Sequence, residues 1–167
     1  HSLGSTRLDL YLQYDRPLDA GELARFKALL LRRAAREPLQ HVIGQVSFRE
    51  VELRCDRRAL VPRPETEVLV GVVLDAVDAR DPALGPVRSA LDVGTGSGCI
   101  ALSLFTEGTF ERVVATDVSA EALELARDNA QRCAADIELR LGPVVEPLGA
   151  DELFDVIVSN PPYIALE

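Results

Sequence analysis

From residue 89 to residue 159 the sequence alternates short apolar runs with helical stretches, and this alternation restricts the fold more than any other feature. The spacing predicts strands at 89–93, 112–116, 137–141 and 154–159, with helices at 97–105 and 120–133. A strand can meet a parallel neighbour only through a crossover long enough to hold a helix, so strands alternating with helices imply a parallel sheet. The expected fold class is α/β, with a doubly wound, mostly parallel sheet and helices on both faces. Residues 63–167 would hold its first four strands. Val156-Ile157-Val158 is an uninterrupted apolar run of the kind found in strands covered on both faces, yet only eight residues follow Ser159. The sheet is therefore expected to be incomplete at its C-terminal end. The chain also starts at His1 and has no methionine, so truncation at both ends is expected.

Two zones precede the alternation. Residues 7–37 read as helical, with Asp19 and Glu22 spaced as a capping box ahead of the stripe Leu23, Phe26, Leu30. Residues 1–37 are taken as the remnant of an N-terminal helical domain. Residues 38–62 read as a β-hairpin linker, with β-type runs at 46–48 and 51–53 separated by Arg49 and Glu50, and a further run at Ala59-Leu60-Val61. Arg63-Pro64-Glu65-Thr66-Glu67 then opens a helix. Pro64 suits a first helical position, and the glutamates suit the positive end of the helix dipole.

Composition narrows the function classes. A net charge of -9 leaves no large cationic surface for phosphates, which demotes DNA and RNA as partners without excluding a local patch. Lys27 is the only lysine. Cys55, Cys99 and Cys133 are odd in number and far apart, which suggests neither a disulfide framework nor a zinc cluster, and a reducing cytoplasm fits best. No apolar run approaches the roughly 18 residues of a membrane span, and no signal peptide is recognisable.

The strongest chemical signal is Asp92-Val93-Gly94-Thr95-Gly96-Ser97-Gly98, between a strand and a helix. Glycines allow a tight turn there and let a ligand approach the backbone. A glycine-rich turn alone is weak evidence, because it can serve only to pack helix on strand. Two details sharpen it. Cys99 stands where a dinucleotide fingerprint has its third glycine, and Asp92 would repel a pyrophosphate but suit a cationic ligand. Asp117, at the end of the next strand, is placed to accept both ribose hydroxyls of an adenosine. It could instead cap the following helix, although Ser119 is the better N-cap.

The second signal is Asn160-Pro161-Pro162-Tyr163 after the fourth strand. Pro162 restricts Pro161 and offers no N–H, so the Pro161 carbonyl and the Asn160 side-chain oxygen make two acceptors for one –NH2 group. An amide nitrogen is a poor nucleophile. Two acceptors holding its hydrogens can turn the lone pair toward a methyl group and stabilise the charge that develops on nitrogen. Tyr163 would supply an aromatic wall. The alternative reading of this motif is a strand-terminating turn.

Together, Arg63–Glu67, Asp92–Gly98 and Asn160–Tyr163 resemble the class I (Rossmann-like) S-adenosylmethionine-dependent enzymes that methylate the glutamine of the Gly-Gly-Gln motif in peptide chain release factors, the protein-(glutamine-N5) methyltransferases. The resemblance extends to Arg7-Leu8-Asp9-Leu10-Tyr11-Leu12 and Arg36-Glu37-Pro38-Leu39-Gln40. Asn-Pro-Pro-Tyr alone is shared with adenine-N6 DNA methyltransferases.

The resemblance implies S-adenosyl-L-methionine as cofactor and S-adenosyl-L-homocysteine as product. Asp92, Gly94, Thr95, Gly96, Gly98, Asp117 and Asn160 would border the cofactor. Asn160, Pro161, Pro162 and Tyr163 would hold the glutamine amide, with Asn160, Pro161 and Tyr163 as the catalytic set and no metal. It also implies a seven-stranded sheet, a release factor as protein partner, no membrane association, a monomer and a cytoplasmic location. The family's usual aspartate near the adenine is replaced here by Pro143. His41 and the cysteines are expected to be structural. The rival expectations are amino methylation of a nucleic acid, and a folded fragment that binds cofactor without turnover.

Overall fold

The computed structural model describes residues 2–161. The N-terminal zone holds three helices, α1 (Arg7–Leu12), α2 (Ala20–Ala34) and α3 (Leu39–Ile43). The zone read as helical over 7–37 thus comes in separate helices, and the gap between α1 and α2 holds Pro17, which has no N–H to donate and disfavours helix at Arg16. Asp19 starts α2 afresh with the capping box its spacing predicted: its carboxylate accepts from the Glu22 N–H at 2.8 Å, and Glu22 accepts from the Asp19 N–H at 3.0 Å. The short α3 falls at the start of the stretch read as a β-hairpin linker, before its first β-type run, and ends at Gly44 with φ 83°.

β1 (Gln45–Phe48) and β2 (Val51–Arg54) form the expected antiparallel hairpin, pairing Phe48 with Val51 across Arg49 and Glu50. Ala59-Leu60-Val61 is not a strand. It follows a turn in which the Asp56 carboxylate accepts from the Arg58 N–H at 3.1 Å, and it pairs with no strand among the described residues. Pro64 opens α4 (Pro64–Asp78) at its first turn, as the sequence indicated.

The sheet consists of β3 (Ser89–Val93), β4 (Arg112–Asp117), β5 (Glu138–Leu141) and β6 (Val156–Ser159), all parallel, in the order β5-β4-β3-β6. α5 (Cys99–Glu107) and α6 (Ala120–Arg132) are the crossovers. α5 starts two residues later than expected because the glycine turn runs on to Gly98, which is left-handed at φ 84°.

The main core joins Phe48 and Leu53 of the hairpin, Val70 of α4, Ile100, Ala101 and Leu104 of α5 and Ala130 of α6 to Ala90, Val113, Ala115 and Val158. These strand residues share one side-chain parity in the register, so hairpin and helices cover one face. Right-handed crossovers that step outward from β3 to β5 must lie on that face, and the return from β5 to β6 must cross the other. Among the described residues that return is an irregular segment, 142–155, which carries no helix. It is held by ion pairs: Arg112 of β4 and Arg140 of the adjacent β5 both grip Glu152, with Arg140 at 2.7 Å. These guanidiniums hold the Glu152 carboxyl down at about 2. No helix among the described residues is long and apolar enough to cross a membrane.

Asn129 of α6 fastens the hairpin to this frame. Its Oδ1 accepts from the Arg54 N–H at 2.7 Å, and its Nδ2 donates to the carbonyls of Arg54 at 3.2 Å and Ser97 at 2.9 Å. The side chain is fully buried, so none of these groups has water to fall back on. Asn129→Ala should therefore destabilise the fold by about 3 kcal/mol, against about 1 kcal/mol for an ordinary hydrogen bond. The shift of the urea unfolding midpoint at constant m-value measures this.

Candidate functional site

Parallel pairing brings the sequence-derived site residues to one edge. Val93 lies opposite Thr116 on one side and Ser159 on the other, so Gly94, Asp117 and Asn160 leave the carboxyl ends of β3, β4 and β6 at the same level. The Ser159 hydroxyl donates to the Val93 carbonyl at 2.8 Å and pins the last residue of β6 beside the glycine turn. This is the crevice at the switch point of a doubly wound sheet, where β3 has one neighbour from each direction of winding.

The three glycines of the turn do different things. All have positive φ, which other residues adopt reluctantly. A Cβ at Gly98 would lie 3.2 Å from the Ala126 Cβ, so this glycine lets α5 and α6 approach. A Cβ at Gly94 would meet nothing within 4 Å, which leaves exposed backbone facing open space. The Gly94 and Thr95 N–H groups both donate to the Thr116 carbonyl, at 2.9 and 3.0 Å, so the turn is moored to β4.

Asp92 lies inside the protein, fully buried beneath the turn. Its Oδ2 accepts from the Thr95 hydroxyl at 2.6 Å and from the Ala101 N–H at 3.2 Å, while Oδ1 has no hydrogen-bond partner. Burial pushes this carboxyl up to about 6. The bonds from Thr95 and Ala101 pull the other way, and the nearby Asp117 adds to the rise.

Asp117 is half-buried. Its Oδ2 accepts from the Gly96 N–H at 2.8 Å and its Oδ1 from the Ser119 N–H at 2.9 Å. Each carboxylate oxygen can accept more than one hydrogen, so both retain capacity toward the crevice edge. Ser119 is the N-cap of α6, accepting from the Ala122 N–H at 3.1 Å. Pro143 lies just after the end of β5, where the Gly142 N–H donates to the Asp117 carbonyl at 2.9 Å.

Asn160 reaches back to α4, its Nδ2 donating to the Thr66 hydroxyl at 2.7 Å. Pro161 follows, exposed. Pro162 and Tyr163 lie outside the described residues. Two polar contributors were not singled out from sequence. Thr66 stood inside a quoted motif that was read only as a helix start. Asn129 carried a signal of its own, a poor helix former in the middle of a helix, which calls for a buried partner. Burial pushes the Cys55 thiol up to about 11 and the Cys99 thiol to about 12, so neither is a thiolate near neutrality. Among the described residues no three His, Cys, Asp or Glu side chains gather as a metal-holding group.

A parallel sheet ordered β5-β4-β3-β6, with a glycine turn after β3 and an aspartate ending β4, has the arrangement of the class I methyltransferase fold. A solved structure with this fold is the Pyrococcus abyssi tRNA (uracil-54, C5)-methyltransferase in complex with S-adenosyl-L-homocysteine. It is 22% identical and superposes with a TM-score of 0.54 over 70% of this chain and 28% of that one. The methyltransferase small domain model matches residues 71–166, and the chain belongs to that family. The PrmC N-terminal domain model matches residues 1–44. The resemblance carried by the motifs extends along the chain. It is 43% identical to a release factor glutamine methyltransferase of Geobacter sulfurreducens and 42% identical to one of Chlorobaculum tepidum, over 98% of its length in each case. It covers 55% and 58% of those proteins, so it spans little more than half their length.

The Asp92 carboxyl gives a pH signature. Its folded value of about 6 lies above the unfolded value of 3.8, so its contribution to stability is complete below about pH 4 and is lost as the pH rises through 6. Asp92→Asn removes this dependence. The stability of the wild type relative to that variant should rise by about 2 kcal/mol between pH 7 and pH 4.5. Urea unfolding of both proteins across that range measures it, and the difference cancels the other carboxylates.

Proposed function

We propose that this chain carries the donor-binding and amide-holding site of an S-adenosyl-L-methionine-dependent methyltransferase acting on N5 of the glutamine in the Gly-Gly-Gln motif of peptide chain release factors. The observation that carries the reading is the level placement of Gly94, Asp117 and Asn160 at the carboxyl ends of three adjacent strands. This placement supports a donor site beside an amide acceptor.

The residues fit the cofactor. Gly94 and Gly96 open the backbone to it, with Thr95 and Gly98 shaping the turn. Asp117 has acceptor capacity for the ribose hydroxyls, and Asn160 borders the donor from β6. Asp92 acts from beneath, holding Thr95 and the first turn of α5 and placing negative charge behind a cationic ligand. When bound, S-adenosyl-L-methionine supplies an electrophilic methyl on sulfur and leaves as S-adenosyl-L-homocysteine. The protein's part is to make the amide nitrogen a nucleophile. Asn160 Oδ1 and the Pro161 carbonyl accept its two hydrogens, the lone pair turns out of conjugation, and the nitrogen releases one proton to water once the N–C bond has formed. Pro162 would fix the Pro161 carbonyl, and Tyr163 would stack on the planar amide.

In this reading residues 1–37 dock the release factor, residues 38–62 link, and residues 63–167 carry the chemistry. The protein works as a cytoplasmic monomer. A net charge of -9 weighs against a nucleic acid substrate.

Calorimetric titration with S-adenosyl-L-methionine should show saturable binding, and titration with NAD none. Asp117→Ala should weaken donor binding about tenfold or more. Asn160→Ala should slow methyl transfer to a Gly-Gly-Gln peptide by roughly 10²- to 10³-fold while changing donor affinity far less. Equal loss of binding and transfer in Asn160→Ala would remove the role assigned to Asn160.

A further inference from the structure

An asparagine is a useful acceptor only if its amide faces the right way. Oδ1 and Nδ2 are nearly the same size, and half a turn of the side chain exchanges an acceptor for a donor. Presented to the –NH2 of a substrate amide, Oδ1 binds it and Nδ2 repels it. A site that relies on Asn160 therefore needs a second group that holds the amide with Oδ1 forward. The hydroxyl of Thr66, 94 residues away in sequence, accepts from Nδ2 at 2.7 Å, and it holds that orientation when its own hydrogen is turned away from Asn160.

We propose that Thr66 is a positioning residue, whose hydroxyl engages Asn160 Nδ2 and so commits Oδ1 to the substrate amide. The proposal rests on the function given above for Asn160. Thr66 is 5% exposed, so water competes poorly for the bond. Its own N–H is already used, donating to the Arg63 carbonyl at 3.0 Å at the start of α4. The turn of α4 that carries it is held from outside. The Arg49 guanidinium donates to the Glu67 carbonyl at 3.0 Å and pairs with Glu107 of α5 at 2.6 Å. On the other side Ser159 is fixed to Val93. Both partners of the Thr66–Asn160 bond are thus anchored independently of each other, as a positioning contact requires.

Thr66→Val keeps the shape and removes the hydroxyl, and Thr66→Ser keeps the hydroxyl. With a Gly-Gly-Gln peptide and S-adenosyl-L-methionine, Thr66→Val should lower kcat about tenfold or more with the donor Kd within about twofold of wild type, and Thr66→Ser should recover most of the rate. A Thr66→Val kcat within about twofold of wild type, or a Thr66→Ser enzyme as slow as Thr66→Val, overturns the proposal. The Asn160 side-chain amide signals in a 15N-edited NMR spectrum give a readout that needs no turnover and, in the wild type, no variant. In the wild type they should exchange with water far more slowly than a solvent-exposed asparagine, and exchange at the exposed rate overturns the proposal. A wild type that binds donor but transfers nothing to the peptide defeats the functional reading instead. The amide signals then decide the Thr66 assignment, which fails if Thr66→Val leaves them unchanged.

Discussion

Parallel strands send all their carboxyl ends to one edge of the sheet, and β3 is the strand from which this chain winds in both directions. The rest of the molecule follows from that constraint. The outward winding through α5 and β4 delivers Asp117, the return to β6 delivers Asn160, and the turn leaving β3 lies between them. Because the register pairs Val93 with both Thr116 and Ser159, the three strands end in step. A slip of one residue in either pairing would bury one group and carry another out of reach, since side chains alternate faces along a strand.

The turn itself is held by a buried acid, an arrangement that costs folding free energy. Asp92 gives up water on both oxygens and regains two hydrogen bonds, both through Oδ2. An apolar residue there would remove the desolvation cost, but it would leave the Ala101 N–H of the first turn of α5 without this partner and the Thr95 hydroxyl with nothing to hold it. The carboxylate thus fixes the conformation of a segment whose glycines, with positive φ at Gly94, Gly96 and Gly98, would otherwise leave it loose. Local instability at a site that must be shaped in advance is a common compromise.

Much of this was legible in the sequence. Apolar runs of four to six residues, glycines between strand and helix, and acids at strand ends are local signals, so the four strands, the hairpin, the α2 capping box and the Ser119 cap could be read directly. Local signals failed where a distant partner decides the outcome. Ala59-Leu60-Val61 has the composition of a strand but no strand to pair with. The helical pattern over 7–37 concealed the break at Pro17. Asp92 was read as suiting a cationic ligand, and its complete burial beneath the turn was not legible, because alternation alone could not settle which way a residue at the end of a fully buried strand points. The covering of the second sheet face was unreadable because it depends on ion pairs between Arg112, Arg140 and Glu152, charges that in sequence look like ordinary surface.

The hairpin bears on the site in a way that its sequence does not suggest. Arg49 sits at the hairpin turn in a left-handed conformation, φ 47°, that a non-glycine residue adopts only when its surroundings hold it there. Its guanidinium joins the first turn of α4 to the end of α5. At the other end of the hairpin, Asn129 ties Arg54 to the carbonyl of Ser97 in the glycine turn. One small antiparallel element therefore touches both halves of the crevice, the glycine turn through Ser97 and the Asn160 side through Glu67 and its neighbour Thr66. The glycine turn and the first turn of α4 are thus tied together from outside the crevice, by a buried amide at one end of the hairpin and a half-buried guanidinium at the other.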